Sequence, residues 1–408
     1  MDVESFRPPA LTAFTVRARW IFPVAGMPIS GGAVEVGADG RVLAIHRHPP
    51  AGAVDLGDVA IVPGLVNAHA HLEFSDLTQP LAPARPFAQW LRILLADRRR
   101  RGDARRAIAA GLAESGRSGT VAVGDVDTHG QPDQYPIDAG TQVVAFRELL
   151  GLDSATIALR IGTATEFLDQ PAGLGSPAVR GLSPHAPYTV HPRLLGAVIS
   201  LSMTRRCPVA IHLAETRAEL ECLNSGTGEL VDLLKEAGIW QGAHYASGTR
   251  PLDLLRRLEP LHRVVIAHGN YLADDELDFL ARKPNFALAY CPRTHAFFGH
   301  EEHPWRRLAA RGGIVAIGTD GRCSNPDLSI WHELQFLRWH LPACDPAELL
   351  RMGTLNGAIA LGLDDRLGTI EPGKSPGLAA IRLGHVGATD PYDDLLHEKS
   401  EVFDLFVR

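Results

Sequence analysis

Short apolar runs alternate with helix-length segments from about residue 59 onward. The apolar runs cover residues 61–67, 120–125, 142–146, 178–183, 208–212, 263–268, 286–291 and 313–319. Between them the spacing predicts amphipathic helices, for example over residues 87–101 and 251–258. Apolar strands separated by helices are typical of a parallel sheet that is buried on both faces.

Eight strands of this kind are the number found in a (β/α)8 barrel, which is the fold we predict for the middle of this α/β chain. The alternative is a doubly wound open sheet. That fold is disfavoured, because no GxGxxG nucleotide-binding turn follows the first strand of the series.

Both ends of the chain have a different pattern, in which short strand-like runs are separated by turns. Residues 14–20 form one such run, and residues 32–36 and 41–45 predict a hairpin around a glycine-bearing turn. The strand-and-turn pattern returns after about residue 364. We therefore predict a small β-sandwich domain formed from both chain ends, with the chain divided into residues 1–64, 65–364 (the barrel) and 365–408.

Composition excludes several classes of protein. The 408 residues carry a net charge of −7, whereas a nucleic-acid binder would present a basic face. The five cysteines are odd in number and lack CxxC spacing, which indicates a reducing compartment without a disulfide framework. The chain shows no membrane-spanning apolar run and no signal-peptide pattern at its start. We expect a cytoplasmic protein that binds neither nucleic acid nor membrane. The sequence leaves open whether the protein forms a homo-oligomer.

Titratable side chains stand at the carboxyl ends of the predicted barrel strands. In chain order they are His69 and His71, His185, His212 and Glu215, His268, His295, and Asp320. The active sites of (β/α)8 barrels are built at this face. One such motif alone is a weak signal, since the chain has a second pair, His46 and His48, which we interpret as a solvated edge of the N-terminal strands. Because titratable side chains recur at the ends of successive strands, we predict a functional site at this face of the barrel.

These residue types suit metal-assisted hydrolysis. Neutral imidazoles with one carboxylate bind zinc or another borderline divalent ion and leave a position for water. Such an ion lowers the pKa of its water toward neutrality. A carboxylate nearby can then shuttle the proton.

The series His69-x-His71, His212-x-x-Glu215, His268 and Asp320 resembles the amidohydrolase superfamily and is most similar to its mononuclear aminohydrolase branch. Residues 62–69, 183–189 and 370–374 are similar to the branch's entry into the barrel, its fourth-strand signature and its closing turn. Residues 72–75, with the sequence Leu-Glu-Phe-Ser, resemble the aminodeoxyfutalosine deaminases. The resemblance covers nearly the whole chain. It implies hydrolytic deamination of a small aminated heterocycle or nucleoside, such as aminodeoxyfutalosine or an adenosine-like compound.

The resemblance also implies a role for individual residues. The ligands that it implies for one divalent metal ion, zinc or alternatively iron(II), are His69, His71, His212 and Asp320. Glu215 is similar to the carboxylate that delivers a proton to the ring nitrogen under attack. His268 matches the base that, with Asp320, orients and deprotonates the water. His185 matches a histidine that contacts the substrate.

Further positions are candidates for substrate binding. They are Trp90 on the helix over residues 87–101, Arg147 after the third strand, and His295 after the seventh. Either Arg147 or Arg293 could bind a substrate carboxylate. Deaminases of adenosine-like thioether nucleosides hold the ribose hydroxyls with a glutamate nine residues beyond this tryptophan, where the present chain has Arg99. We interpret the arginine run at 98–101 as a solvated helix end, and Asp125 and Asp127 as residues that cap turns.

The sequence disfavours a dinuclear centre. Dinuclear members of the superfamily bridge their metals with a modified lysine or a carboxylate at the end of the fourth strand. In this chain the first lysine is Lys235, and residues 178–187 contain no carboxylate. Hydrolytic dechlorination and cyclic amide hydrolysis are alternatives that use the same site. A catalytically dead barrel that acts as a binding scaffold is the alternative from another class.

Overall fold

The structure, a computed structural model, describes residues 12–131, 134–136, 140–171, 173 and 176–403. Its strands are β1 (Phe14–Arg17), β2 (Trp20–Ile21), β3 (Ile29–Ser30), β4 (Ala33–Val36), β5 (Val42–His46), β6 (Val54–Asp55), β7 (Val59–Pro63), β8 (Leu65–Ala70), β9 (Thr120–Asp127), β10 (Gln142–Leu149), β11 (Val179–Pro184), β12 (Val209–Leu213), β13 (Val264–His268), β14 (Phe286–Tyr290), β15 (Ile314–Ile317), β16 (Leu378–Arg382) and β17 (Glu401–Phe403). Its α-helices are α1 (Phe87–Arg100), α2 (Arg105–Arg117), α3 (Ser154–Asp169), α4 (Pro192–Arg205), α5 (Arg217–Ser225), α6 (Glu229–Glu236), α7 (Pro251–Leu258), α8 (Asp274–Ala281), α9 (Pro292–Phe298), α10 (Trp305–Ala310), α11 (Ile330–His340), α12 (Pro346–Met352), α13 (Leu355–Leu361) and α14 (Pro391–Leu395).

Strands β8 to β15 form one parallel sheet in chain order. The sheet closes where Ala70, at the end of β8, bridges to Asp320, just after β15. The predicted (β/α)8 barrel is therefore confirmed. Within the described residues, β9 is followed directly by β10 without an intervening helix.

The first predicted barrel strand, residues 61–67, is in fact two strands. β7 ends at Pro63 and β8 begins at Leu65, and the two strands belong to different sheets. Gly64 joins them at a close approach, because a Cβ at this position would meet Val121 Cγ1 at 2.3 Å. Both strands are fully buried, so the continuous apolar run does not reveal the change of sheet. The predicted run over residues 14–20 divides in the same way, into β1 and β2.

The two remaining sheets contain strands from both ends of the chain. One has the order β5-β4-β1-β6 and the other β17-β16-β7-β2-β3. The predicted hairpin is confirmed as the antiparallel pair β4 and β5. Val16, Ile61 and Ala380 belong to one apolar core that both sheets share, so the predicted sandwich of both ends is also confirmed. The division of the chain at residues 64 and 364 stays a prediction.

The pair His46 and His48 lies at the edge of the first of these sheets. His46 ends β5, the edge strand, and its Nε2 atom lies 2.9 Å from Glu35 Oε2. His48 is exposed. This agrees with the interpretation of the pair as a solvated edge.

Strand β10 shows how the side chains of a barrel strand divide between two faces. Val144 and Phe146 pack inside the barrel. Ala145 packs outside it, in the cluster that contains residues of α2 and α3. Because side chains alternate along a strand, Glu148 points into the barrel and Arg147 points away from it.

In the part of the chain that the structure describes, every helix is too short or too polar to cross a membrane. The five cysteines are buried and free. Residues 1–11, at which the sequence shows no signal-peptide pattern, lie outside the described residues.

Candidate active site

Five polar side chains meet at the carboxyl end of the barrel. His71 Nε2 lies 3.2 Å from His212 Nε2 and 3.5 Å from Asp320 Oδ1. His69 Nε2 lies 3.6 Å from the same Asp320 oxygen. The ligand atoms of His69, His212 and His268 all lie within 4.8 Å of one another. The structure thus brings together the four predicted ligands and His268, in two overlapping groups that share His69.

The nitrogen atoms at the centre of this cluster fit a divalent cation. His69 Nε2 is buried and has no hydrogen-bond partner. His212 Nδ1 lies 3.0 Å from the carbonyl oxygen of His185, which can only accept, so the proton is on Nδ1 and the Nε2 lone pair faces His71. Buried lone pairs beside a carboxylate are unfavourable by themselves, and a bound cation satisfies them. The donor set therefore fits a borderline divalent metal ion.

The protonation states of the imidazoles agree with this. Burial, with a further contribution from neighbouring imidazoles, lowers the pKa of His71, His212 and His268 well below the usual range. These rings are therefore neutral near pH 7, which is the form that binds a metal ion or accepts a proton.

Three strand ends at the site have a left-handed backbone. The φ angle is 54° at Ala214, 65° at His268 and 57° at Asp320. Such angles are uncommon outside glycine and cost roughly 1–3 kcal/mol unless the surroundings fix them. At His268 the carbonyl accepts a hydrogen bond of 2.8 Å from His303 Nε2. Ile266 packs outside the barrel, so simple alternation along β13 would direct the His268 side chain outward as well. The left-handed turn directs it into the barrel instead.

Glu215 is buried next to His268. Its Oε1 atom lies 3.8 Å from His268 Nε2. The Glu219 carboxylate fixes the backbone here, because it accepts hydrogen bonds from the amides of Ala214 at 2.8 Å and Glu215 at 2.9 Å. Burial, and then the charges of Asp320 and Glu219, raise the pKa of Glu215 well above its usual range. This shift favours the protonated carboxyl group, which is the form that can donate a proton.

The loop after β15 fixes Asp320. Ser324 Oγ donates a hydrogen bond to Asp320 Oδ2. Asn325 Nδ2 donates to the Thr319 carbonyl and to Glu333 Oε1, at 2.7 Å each. Ser324 and Asn325 therefore order this loop.

Arg293 is part of the same hydrogen-bond network. It is not among the residues that line the cavity next to the imidazole cluster. Its backbone amide and its Nε atom donate to Glu333 at 2.9 and 2.8 Å. Its two terminal nitrogens donate to Asp327 at 2.8 and 2.6 Å. The guanidinium is thus committed to loop structure, and the alternative in which Arg293 binds a substrate carboxylate is not supported.

The substitution Glu333→Ala is expected to reduce the free energy of unfolding by about 3 kcal/mol, because it removes a fully buried carboxylate and leaves the guanidinium of Arg293, which is only 12% exposed, with one partner fewer. Chemical denaturation measures the change. Glu302→Ala is the matched control, since the Glu302 side chain is 79% exposed beside Arg306 and exposed pairs contribute only about 0–1 kcal/mol. Equal losses in the two variants would contradict the structural role of Glu333.

A cavity with aromatic and apolar walls adjoins the cluster of four imidazoles and Asp320. Its wall residues are Phe74, Phe87, Trp90, Leu91, Leu94 and Tyr188. Trp90 stacks on Phe87 with ring centroids 5.6 Å apart. His185 also lines the cavity, and its Nδ1 atom lies 2.7 Å from Thr189 Oγ1. Such walls suit a flat heterocycle, and the predicted substrate-binding residues Trp90 and His185 both line the cavity.

Two other predicted substrate-binding residues, Arg147 and His295, do not line this cavity. Arg147 lies on the outer side of β10, where its Nη1 atom donates to the carbonyl of Asp127 at 2.9 Å. His295 packs beside Tyr290 and His303, with ring centroids 5.7 and 5.5 Å away. For Arg147 the cause is the alternation of side chains along the strand, which the prediction did not apply.

Three charged residues near the cavity were not predicted: Glu73, Arg98 and Glu148. Arg98 and Glu148 line the cavity. Arg98 forms an ion pair with Glu73, and its Nη2 atom lies 3.6 Å from Glu148 Oε2. Alternation along the third strand of the barrel could have found Glu148. No local pattern points to Arg98.

The interpretation of residues 98–101 as a solvated helix end is therefore wrong in part. The side chains of Arg98 and Arg101 are only 27% and 17% exposed. Arg99 and Arg100 are exposed, as expected. Of the two aspartates at the end of β9, Asp127 makes the predicted turn contact, since it accepts from the amide of His129 at 2.9 Å. Asp125 instead accepts from the amide of Leu72, which is distant in sequence, at 2.9 Å.

Comparison with known proteins identifies the family of the chain. Residues 60–405 match the amidohydrolase family. The chain is 30% identical over 396 residues to a 5-methylthioadenosine/S-adenosylhomocysteine deaminase of Moorella thermoacetica, covering 91% of this chain and 86% of that protein. It is 27% identical over 367 residues to an aminodeoxyfutalosine deaminase of Nitratiruptor, covering 86% of each. An adenosine deaminase from Xanthomonas campestris, solved with bound zinc, superposes with a TM-score of 0.75 at 25% identity, covering 97% of this chain and 91% of that one.

The chain therefore belongs to the amidohydrolase family, as its motifs predicted.

Proposed function

We propose that this protein is a metal-dependent aminohydrolase that releases the amino group of an aminated nucleoside as ammonia. The observation that carries the proposal is the convergence of the four predicted ligands beside the buried carboxyl group of Glu215. The relatives described above, which are named as a 5-methylthioadenosine/S-adenosylhomocysteine deaminase and an aminodeoxyfutalosine deaminase, support the same chemistry.

In this proposal a single divalent cation, zinc, is held by His69, His71, His212 and Asp320. When bound, it supplies Lewis-acid chemistry that makes water nucleophilic near neutral pH. The zinc bound to the Xanthomonas campestris adenosine deaminase supports this choice of metal, and iron(II) is the alternative.

Glu215 and His268 carry the protons. The neutral Glu215 carboxyl donates its proton to the ring nitrogen next to the carbon that bears the amino group. The neutral His268 imidazole, 3.8 Å from Glu215 Oε1, accepts a proton from water. The amino group then takes the proton held by His268 and leaves as ammonia, while the added hydroxyl returns its proton to Glu215 and becomes the new carbonyl oxygen.

His185 would hold the heterocycle in place. The Thr189 hydroxyl donates to the carbonyl of Ala186 at 3.1 Å and therefore accepts from His185 Nδ1 at 2.7 Å. His185 Nε2 is left as a hydrogen-bond acceptor. An N–H or O–H group of the substrate can bind to it.

Ammonia release from the metal-loaded protein tests the proposal. The substrates are adenosine, 5′-methylthioadenosine, aminodeoxyfutalosine, guanine, cytosine and a chlorotriazine. We expect the nucleosides to be deaminated fastest. Chloride release from the triazine as the main activity would favour the dechlorination alternative. Metal content far below one per chain, together with no turnover, would favour the scaffold alternative.

The substitution His268→Asn is expected to reduce turnover by roughly 10²-fold or more, because the amide cannot accept the proton from water. Metal content should stay near one ion per chain if His268 is a base and not a ligand. Elemental analysis and ammonia release on the same preparation measure both. Loss of the metal in this variant would instead assign His268 to the ligand set, and two tightly bound ions in the wild type would contradict a mononuclear site.

A further inference from the structure

His303 is a buried histidine that the proposed chemistry does not use. It lies in the loop between α9 and α10 and is 5% exposed. Its ring stacks on that of Tyr290, the last residue of β14, with centroids 3.9 Å apart. Burial removes both ring nitrogens from water, which is unfavourable unless each has a hydrogen-bond partner. The partners of these two nitrogens therefore show what the residue does.

The two partners of His303 fix its tautomer. Its Nδ1 atom accepts a hydrogen bond of 3.0 Å from the backbone amide of Trp305. The proton of the neutral ring is therefore on Nε2, which donates to the carbonyl oxygen of His268 at 2.8 Å. Burial lowers the pKa of His303 to about 3, so the ring stays neutral near pH 7. One nitrogen thus holds the ring in its own loop, and the other holds the backbone of His268.

The peptide group that follows His268 is held at both of its ends. His303 binds the carbonyl oxygen, and the amide of Gly269 donates to the carbonyl of Leu213 at 3.0 Å. The φ angles are 65° at His268 and 63° at Gly269, so two successive residues are left-handed. This conformation is unfavourable for a residue with a side chain unless the surroundings fix it. Loss of the bond from His303 would free one end of the peptide group to rotate.

The same turn sets the position of His268 relative to Glu215. Asn270, two residues after His268, donates from Nδ2 to the backbone carbonyl of Glu215 at 2.9 Å. The end of β13 is therefore bound to the end of β12, and His268 Nε2 lies 3.8 Å from Glu215 Oε1. Rotation of the peptide group after His268 would shift the Cα atom that carries the imidazole, and so would change the separation of the two proton carriers.

We propose that His303 is a positioning residue, which orients the imidazole of His268 toward the water that it deprotonates by holding the carbonyl of the same residue. The inference rests on the proposed deaminase function, in which His268 accepts this proton. Of the described residues, those that line the cavity and those that could hold a metal ion do not include His303. Its effect should therefore appear in the chemical step and leave the binding of substrate and metal unchanged.

The test is a double-mutant cycle, in which His303→Phe is made in the wild type and in His268→Asn. Phenylalanine keeps a ring over Tyr290 but cannot donate to the carbonyl. In the wild type we expect kcat of the zinc-loaded protein for its best nucleoside substrate to fall at least about 5-fold, the equivalent of about 1 kcal/mol for an unpaired buried carbonyl. KM and metal content should not change. In His268→Asn, where no base remains to be oriented, the same substitution should change kcat by less than about twofold.

His303→Gln should restore most of the lost turnover, because its amide group can donate to the His268 carbonyl. A second measurement is independent of turnover. Hydrogen–deuterium exchange at the Gly269 amide, the other end of the same peptide group, should become faster in His303→Phe and stay near the wild-type rate in His303→Gln. If His303→Phe does not fold, His303→Met, which is flexible and also lacks the donor, takes its place in both measurements.

His340→Phe is the matched control. His340 Nδ1 lies 2.9 Å from the carbonyl of Phe336, but this histidine is exposed at the end of α11. The variant should keep the wild-type kcat. Equal losses of kcat from His303→Phe in both backgrounds, a change confined to KM, or unchanged exchange at Gly269 would each overturn the inference. Absence of ammonia release from every substrate would instead contradict the proposed function, while the exchange measurement would still test the bond from His303.

Discussion

Replacement of Glu215 by glutamine is expected to reduce turnover by roughly 10²- to 10⁴-fold while the metal content stays at the wild-type level. Glutamine keeps the shape of the side chain but cannot donate the acidic proton. The two groups of side chains that could hold a metal do not include Glu215, so metal binding should persist. Steady-state ammonia release and elemental analysis of the same preparation measure the two quantities.

Glu221→Gln is the control for this substitution, because Glu221 is an exposed residue of the following helix, α5. It should retain full activity. Turnover close to that of the wild type in Glu215→Gln would remove Glu215 from the mechanism. Loss of the metal would show that its carboxylate is a ligand.

His69→Ala is expected to abolish metal binding and activity together. His69 is 2% exposed and is the residue that the two groups of possible ligands share. Alanine removes a ligand from both groups at once, so neither can complete a four-ligand site. The metal content should fall well below one ion per chain. The loss of turnover should be at least as large as in Glu215→Gln.

The control for His69→Ala is His48→Ala, which removes an exposed histidine from the other His-x-His pair of the chain. Metal content and turnover should both be unchanged. If His69→Ala retained a full complement of metal, the ion would have to bind elsewhere, and the proposed ligand set would be wrong.

The sequence predicts those site residues that lie at strand ends. His69, Glu215 and Asp320 follow apolar strands, and a parallel barrel brings all such ends to one face regardless of the details of packing. The choice between Arg147 and Glu148 depends instead on which face of β10 is the interior. The apolar positions of β10 show that its side chains alternate between two faces. Only the closed barrel shows which of these faces is the interior.

Other features depend on contacts between distant parts of the chain. Arg98 lies at the site because Glu73 and Glu148, from two different elements, attract the same guanidinium. The division between β7 and β8 depends on the close approach of Gly64 to Val121. Neither contact leaves a local pattern in the sequence, so neither could be predicted from it.

The closure of the barrel and the candidate metal site occupy the same place. The amides of Thr319 and Asp320 both donate to the His69 carbonyl at 3.0 Å, beside the bridge from Ala70 to Asp320. An ion held by His69 and Asp320 would bind to the closed seam only, and would stabilise it by RT ln(1 + [L]/Kd). Hydrogen–deuterium exchange at these two amides should therefore slow as the ion is titrated in, so that local opening of the barrel becomes a measure of occupancy.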